Sequence, residues 1–409
     1  MKEKKIGAWL IGALGSISTT VIVGAASLKK RLIHPTGMIT ETEAFEGLGL
    51  VPIEQLHFGG CDVRKGSLRE AAGHLARETG VLDPAILREI ESDLESVEGE
   101  ILMGTARNCG DAIERLADCS EASRKSFREE IEDIRKSIKD FRVRKSLDAV
   151  VVINLASTEP LLQLRDCHQD LEAFEACLDR NDAGGVKAST LYAYAAVQEG
   201  CPYINFTPSS GALIPAIIQL ARNKGVPVMG NDGKTGETLV KSALAPMFSC
   251  RNLEVMSWEG FNILGNMDGR ILDHPDNRES KIRTKDQVLS KILGYSPHSR
   301  VHIDYVPSLD DQKTAWDFIH FRGFLGARMS LQFIWQGYDS LLAAPLILDM
   351  IRLAELAGRR GEAGLMPHLA SYFKAPLGVS EYRLHEQFGM LMKYVDRARM
   401  SDADGTESA

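Results

Sequence analysis

The 409-residue chain has few cysteines, no long apolar run and no excess of positive charge. Each shortage excludes a class of protein. The seven cysteines (Cys61, Cys109, Cys119, Cys167, Cys177, Cys201 and Cys250) are odd in number, lie ten or more residues apart and form no C-x-x-C pair. That pattern argues against a disulfide framework and a structural zinc site. The most apolar stretch near the N-terminus, residues 6–28, is interrupted by Gly7, Gly12, Gly15 and Gly24 and carries Ser and Thr throughout. It is too broken for a membrane span, and it lacks the apolar core and small-residue cleavage site of a secretory signal. Lys and Arg number 48 against 56 Asp and Glu, a net charge of −8, so no general basic surface exists to collect nucleic acid or anionic lipid. The expectation is a protein of the reducing cytoplasm with no nucleic-acid or membrane partner.

What is present is ordinary globular composition, 44% hydrophobic and 25% charged, with 36 Gly and 15 Pro. At roughly 100 to 200 residues per domain, the length predicts two or three structural units. Residues 6–12 read as a strand, 16–30 as a helix and 37–41 as a second short strand, which opens a βαβ unit. Between residues 83 and 148 the chain turns helical and charged. There Phe127, Ile131, Ile134, Ile138 and Phe141 recur at steps of four and three, so one face is buried and the stretch reads as a solvated helical connection.

Residues 149–154 (AVVVIN) are a β-branched run suited to a parallel strand covered on both faces. Helices over 188–200 and 214–224 then alternate with strands over 203–206 and 226–229. This is the pattern of a doubly wound α/β sheet, whose ligands bind at the carboxyl edge. Past Gly236 the pattern changes, because 252–263 and 300–307 read as longer strands without regular helices between them. A second, α+β unit is expected there, followed by an apolar helix over 340–356 and a polar, frayed tail from Ser401.

The first turn, Gly12-Ala13-Leu14-Gly15-Ser16-Ile17-Ser18, departs from G-x-G-x-x-G at Leu14 and Ser18. Its physics survives. Gly12 permits the tight turn, Gly15 permits close backbone approach, and the helix behind them offers free N–H groups to a pyrophosphate. Glu41, ending the expected second strand, is the candidate acceptor for a ribose hydroxyl, although it stands 26 residues past Gly15 where ~20 is usual. Residues 230–238 (GNDGKTGET) leave a strand for a helix with glycine freedom and two hydroxyls, which suits a phosphate monoester. The Walker spacing is absent, so nucleotide hydrolysis loses its main support. Lysines gather further on: Lys281 and Lys285 four apart, Lys313 after an expected strand, and Lys374 in Tyr372-Phe373-Lys374. Singly, each reads as a solvated surface lysine. Asp339, however, introduces residues 340–345 (SLLAAP), which are too apolar for a solvated turn.

Together these segments resemble the myo-inositol-1-phosphate synthase (inositol-3-phosphate synthase) family, in particular its shorter archaeal and bacterial forms. The resemblance spans most of the chain. It rests on the turn at Gly12, residues 154–160 (NLASTEP), 230–238, 262–269 (NILGNMDG), Ser280-Lys281 with Lys285, and 339–345 (DSLLAAP). It implies a doubly wound Rossmann-type NAD-binding domain, residues 1–237 and 340–409, with an inserted α+β catalytic and tetramerisation domain, residues 238–339. It further implies an NAD-dependent isomerase that converts D-glucose 6-phosphate to 1D-myo-inositol 3-phosphate by oxidation at C5, enolisation, aldol closure of C6 onto C1 and re-reduction. The implied partners are NAD and the sugar phosphate, in a homotetramer, with a divalent or monovalent cation as a further candidate.

Carried over by motif, Lys281, Lys285, Lys313 and Lys374, with Asp339, are the implied catalytic residues. Gly12, Ala13, Leu14, Gly15, Ser16, Ile17, Ala156, Ser157, Thr158, Asp232 and Asp268 are implied around the cofactor, joined by Glu41 from the strand pattern. Thr235, Gly236, Glu237 and Thr238 match the phosphate loop, with Glu237 where longer relatives have Gln. A carboxylate repels a phosphate unless it points away, so binding is expected from backbone N–H and hydroxyl groups. The implied chemistry explains the lysines, because the enolate and aldol steps develop charge on sugar oxygens that ammonium groups stabilise. Two ammonium groups ~4 Å apart would repel by about 4 kcal/mol at an effective dielectric near 20, so one of them can be neutral near pH 7 and accept a proton. Three other readings stand beside this one: a carbocycle-forming relative acting on another sugar phosphate such as fructose 6-phosphate, a plain dehydrogenase, and a non-catalytic NAD-binding scaffold. The four lysines and the phosphate loop count against the last.

Overall fold

Apolar strands alternate with helices from the start of the chain, and the order in which they pair fixes where a ligand can sit. The computed structural model describes residues 4–118, 125–274, 276–277 and 288–406. Strands β1 (Ile6–Ile11), β2 (Leu56–Asp62), β3 (Ile101–Met103), β4 (Ala149–Asn154), β5 (Tyr203–Asn205) and β6 (Pro227–Gly230) lie parallel in the order β3-β2-β1-β4-β5-β6. A second, mixed sheet has the order β10-β9-β7-β8, from β7 (Glu254–Leu264), β8 (His298–Tyr305), β9 (Gln312–Arg322) and β10 (Arg328–Tyr338). Strand β11 (Gly364–Leu365) returns to the first sheet beside β6.

Side chains alternate along β1 and β4, so each strand feeds two cores. Ala8, Leu10, Val151 and Ile153 pack with helices α1 (Ser16–Lys29) and α2 (Leu68–Thr79). Trp9, Ile11, Val150 and Val152 pack with α3 (Phe127–Arg144), α4 (Ala188–Gln198) and α5 (Pro215–Lys224). Further along, α6 (Gly236–Cys250) and α7 (Met267–Leu272) flank β7, while α8 (Asp339–Arg359) and α9 (Leu384–Thr406) complete the α1 side. The first sheet is therefore covered on both faces, as its apolar strands require.

Helix α3 is built into a face of that sheet. A capping box at Ser126 and Glu129 starts it, and Phe127, Ile131, Ile138 and Phe141 are buried. Phe141 occupies a notch between β1 and β2, where a Cβ on Gly7 or on Gly59 would come within 2.8 Å of its ring. The expected solvated connection is thus a packed layer. The same stretch of sequence contains the edge strand β3, whose Leu102 and Met103 are exposed and leave no periodic signal.

The strand expected over residues 37–41 is a turn followed by a 3-10 helix at Ile39–Glu41, and the second strand starts only at Leu56. The reason lies on α8. The N–H groups of Ile39 and Thr40 donate to the Asp349 carboxylate at 3.0 and 3.1 Å, and Arg352 holds both the Thr40 hydroxyl and Glu41. These side-chain acceptors replace a neighbouring strand. In the second sheet, β9 begins at Gln312, so Lys313 lies inside a strand. The final helix continues to Thr406, past the point where fraying is expected.

Burial pushes the Asp349 carboxyl up from the usual 3.8 to about 6. A raised carboxyl favours the protonated fold, so its stabilising effect is present below the unfolded value and is lost as pH rises through about 6. Two pKa units correspond to about 3 kcal/mol. Asp349→Asn should therefore abolish this slope. In urea unfolding between about pH 4 and pH 6.5, the wild type should lose up to about 3 kcal/mol relative to the variant, and parallel pH curves would contradict the assignment.

Candidate active site

Strand β1 pairs with β2 on one side and β4 on the other, so the loops leaving β1 and β4 run to opposite sides of the sheet. A cavity of about 580 Å³ opens at that switch point. Gly12 turns there at φ +83°, and a Cβ on it would lie 2.9 Å from the Ala156 Cα. Only glycine fits such a turn. The N–H groups of Gly12 and Ala13 donate to the Cys61 carbonyl at 2.8 and 3.0 Å, and the N-cap of α1 is Gly15, which has no side chain to cap its first turn. That turn is left to bind an anion.

Asp62 ends β2 beside it. One oxygen accepts the Leu14 N–H at 2.9 Å and the other the Arg64 N–H at 3.0 Å. A carboxylate has further lone pairs, and Asp62 stands where sheets of this order bind a ribose hydroxyl. The cradle at Gly12, the uncapped helix and this carboxylate together fit a dinucleotide. Glu41, by contrast, is paired with Arg352 and does not line the cavity. The second strand ends at Asp62 and not at residue 41, so Asp62 rather than Glu41 stands at the strand end beside the Gly12 turn. Asp62 lies well beyond the usual spacing, but it does close the apolar run that starts at Leu56.

The other end of the cavity is assembled by chain returns. Residues 232–234 run antiparallel to 372–374 through a bridge between Gly233 and Phe373. The Lys234 N–H donates to the Tyr372 carbonyl and the Lys374 N–H to the Asp232 carbonyl, both at 2.7 Å. A Cβ on Gly233 would lie 2.0 Å from the Phe206 ring, so only glycine passes here. The pairing sets the Lys374 ammonium 2.8 Å from Asp232, with both side chains buried.

Asp339, the first residue of α8, accepts from the Lys313 ammonium at 2.9 Å and from the Thr235 hydroxyl at 3.2 Å. Thr235 is the N-cap of α6, yet its hydroxyl is given to Asp339 and does not cap the helix. The Thr238 hydroxyl, one turn in, is buried with no partner among the described residues. An uncapped helix start and an unsatisfied hydroxyl suit an anion. Glu237 adds no oxygen to that anion site, because its carboxylate turns toward the second sheet and meets Lys241 at 2.5 Å. Lys241 in turn lies near Asp317, which accepts from the Trp258 indole at 2.7 Å. Gly260 of β7 leaves the space for this cluster, since a Cβ there would sit 2.6 Å from Glu237.

Gly12, Leu14, Gly15, Ser16, Ile17, Ala156, Ser157, Thr158, Asp232, Thr235, Asp268, Asp339 and Lys374 line a common cavity. Ala13 is buried and does not line it; Gly236, Thr238 and Lys313 adjoin its wall through Thr235 and Asp339, which do line it, while Glu237 turns away. Lys281 and Lys285 lie outside the described residues. Asp311 is an addition from the structure. It lines the cavity, accepts from the Ser340 hydroxyl at 2.6 Å, and is pushed up by burial, with the Asp339 charge adding to the shift. No spacing in the sequence points to it. Among the described residues, no group of three or more His, Cys, Asp or Glu side chains could hold a metal ion.

A family model described as myo-inositol-1-phosphate synthase matches residues 6–395. The chain is 33% identical over 398 residues to the inositol-3-phosphate synthase 1 of Bacteroides thetaiotaomicron, covering 93% of this chain and 91% of that one. It is 30% identical over 424 residues to the inositol-3-phosphate synthase 1 of Rattus norvegicus, across 91% of this chain and 74% of that one. Among solved structures, the inositol-3-phosphate synthase of Caenorhabditis elegans aligns with a TM-score of 0.85 at 25% identity, over 97% of this chain and 86% of that one.

The two ends of the cavity should be separable. Gly12→Ala forces a Cβ against Ala156 and should weaken NAD binding by about tenfold or more. Gly236 sits at φ +46°, where a β-branched side chain is strained, beside Asp339 and Trp335. Gly236→Val should weaken sugar phosphate binding by about tenfold and leave NAD within about twofold, measured by titration calorimetry. An equal loss of both ligands in Gly236→Val would show that the two ends are not distinct.

Proposed function

The chain belongs to the myo-inositol-1-phosphate synthase family, and we propose that it is an enzyme converting D-glucose 6-phosphate to 1D-myo-inositol 3-phosphate, with NAD used and returned in each turnover. The observation that carries this is the single cavity joining the turn at Gly12 to the Lys374–Asp232 pair and to Asp339. Bound NAD supplies a hydride acceptor for C5 and a hydride donor for the same carbon after ring closure. Around it, the Gly12 turn and Asp62 hold the pyrophosphate and ribose, with residues 156–158 opposite and Asp268 nearby. The start of α6, from Thr235 to Thr238, receives the sugar's phosphate through backbone N–H and hydroxyl groups.

Lys313 and Lys374 are proposed to stabilise the oxyanions of the enolate and aldol steps, joined by Lys281 and Lys285 from the matched motif. Their carboxylate partners support this role. Asp339 and Asp232 hold the two ammonium groups in place before charge develops, so little reorganisation is needed when it does. Relatives named for inositol 3-phosphate favour glucose 6-phosphate over fructose 6-phosphate as substrate.

We divide the chain into a nucleotide-binding part, residues 1–237 and 340–409, and an inserted part, residues 238–339, that carries the contacts of a homotetramer. The β9–β10 turn supports the second assignment. Phe324 and Leu325 there are 88% and 90% exposed, and Ile334 on the edge strand β10 is 66% exposed. Apolar groups on an open sheet edge call for a covering partner, and a second copy is the simplest. The cytoplasm suits the described cysteines, which are free thiols, and no helix among the described residues is long and apolar enough to cross a membrane.

Glucose 6-phosphate deuterated at C5 should give an inositol phosphate that keeps its label, with less than one NAD per product. Lys313→Ala and Lys374→Ala should each lower turnover by about a hundredfold or more while NAD binding holds. Label lost to free NADH, or one product per NAD, would leave an ordinary dehydrogenase. Light scattering of the wild type should report four chains, and Phe324→Glu with Leu325→Glu should report fewer. An unchanged mass would remove the β9–β10 turn from the interface.

A further inference from the structure

The loop between β6 and α6 carries a lysine that the roles above leave without a task. Lys234 lies between Asp232, which meets Lys374, and Thr235, which meets Asp339, and its side chain is buried. In the antiparallel pairing of this loop with residues 372–374, positions 232 and 234 share a face with 372 and 374. The side chains of Lys234 and Lys374 therefore project to the same side of the pairing. Lys374 finds a carboxylate there. Lys234 meets a neutral acceptor, the side-chain oxygen of Gln387 on α9, whose amide group is itself fixed by donating to the Glu381 carbonyl at 2.6 Å.

Among the described residues the Lys234 ammonium faces only this neutral acceptor, and a buried ammonium so placed is poorly compensated for its lost water. Among the described residues, the acidic groups of the packed elements are committed elsewhere: Asp232 to Lys374, Asp339 to Lys313, and Glu381, before α9, to Arg383. The charge that acts on Lys234 is that of Lys374. Burial first, and Lys374 second, bring the Lys234 ammonium down from 10.5 to about 7.

We propose that Lys234 is a positioning residue for the Lys374–Asp232 pair, and that its protonation sets the acid limit of turnover. Uncharged, Lys234 leaves Lys374 and Asp232 in contact. Protonated, it repels Lys374 and competes for Asp232, which draws the pair out of its working geometry. Activity should therefore rise with pH as Lys234 loses its proton. The inference rests on the synthase function and adds to it a residue that touches neither substrate nor cofactor.

The test is the pH dependence of kcat at saturating NAD and glucose 6-phosphate. The wild type should show an acid limb near pH 7, with about tenfold loss per pH unit below it. Lys234→Met removes the titrating group, so its activity should fall by less than about twofold over the same range, with NAD binding and KM retained. Gln387→Glu supplies a carboxylate to Lys234 and holds it charged, which should move the limb upward by about one pH unit or more. This variant keeps Lys234 in place, so it decides the matter even if Lys234→Met does not fold. A wild-type limb in either variant overturns the proposal. So does a uniform loss of activity at every pH with the limb unmoved, which would mark Lys234 as structural only. Failure of the wild type to form inositol phosphate at any pH would instead overturn the function itself.

Discussion

The Asp339 carboxylate is the point on which the catalytic end of the molecule depends. It accepts from Lys313 on the second sheet and from Thr235 at the start of α6, and it is the first residue of α8, which packs against the first sheet. One side chain thus sets the spacing of three elements. Helix α8 can serve as the reference because it is tied down elsewhere: Asp349 binds two N–H groups of the loop after α1, and Arg352 binds the Val51 carbonyl. A shift of α8 would move the site and the packing of the first sheet together.

The two ends of the cavity bind by different physics. At the dinucleotide end the groups on offer are backbone N–H groups, a tight glycine turn and one carboxylate already engaged by two N–H groups. Such dipoles are fixed by the sheet. At the other end the Lys313 and Lys374 ammonium groups are each held by an acidic partner, so these two charges are nearly balanced within the protein. Buried pairs of this kind gain little for folding, because desolvation offsets most of the attraction. In the function proposed above, their value lies in holding a charge ready where the reaction needs it. The Glu237–Lys241 pair follows the same logic one layer back, where it keeps a carboxylate away from the start of α6.

Much of this was legible in the chain. The apolar run at 149–154, the glycine turn after β1 and the helices around β5 and β6 are local patterns, and each falls within a residue or two of its element. The lysine and aspartate motifs were legible too, as residue types in order. Strand β3 was not, because three residues on a sheet edge carry no periodicity. Glu41 was misplaced for a related reason. The loop before β2 looks extended by composition, and contacts with Asp349, 310 positions away, and Arg352 hold it in a helical turn.

Local pattern therefore determined the class of fold, the family and the inventory of groups, since strand and helix signals repeat over a few residues and motifs are contiguous. Tertiary structure decided which group meets which. It ended the second strand at Asp62, beside the Gly12 turn, and paired Glu41 with Arg352; it joined Lys313 to Asp339 and Lys374 to Asp232, and turned Glu237 toward Lys241. It also set Lys234 against Gln387, 153 positions later. The ionisation of a lysine depends on the burial and the charges around it, and these are properties of contacts between distant segments that no local pattern encodes.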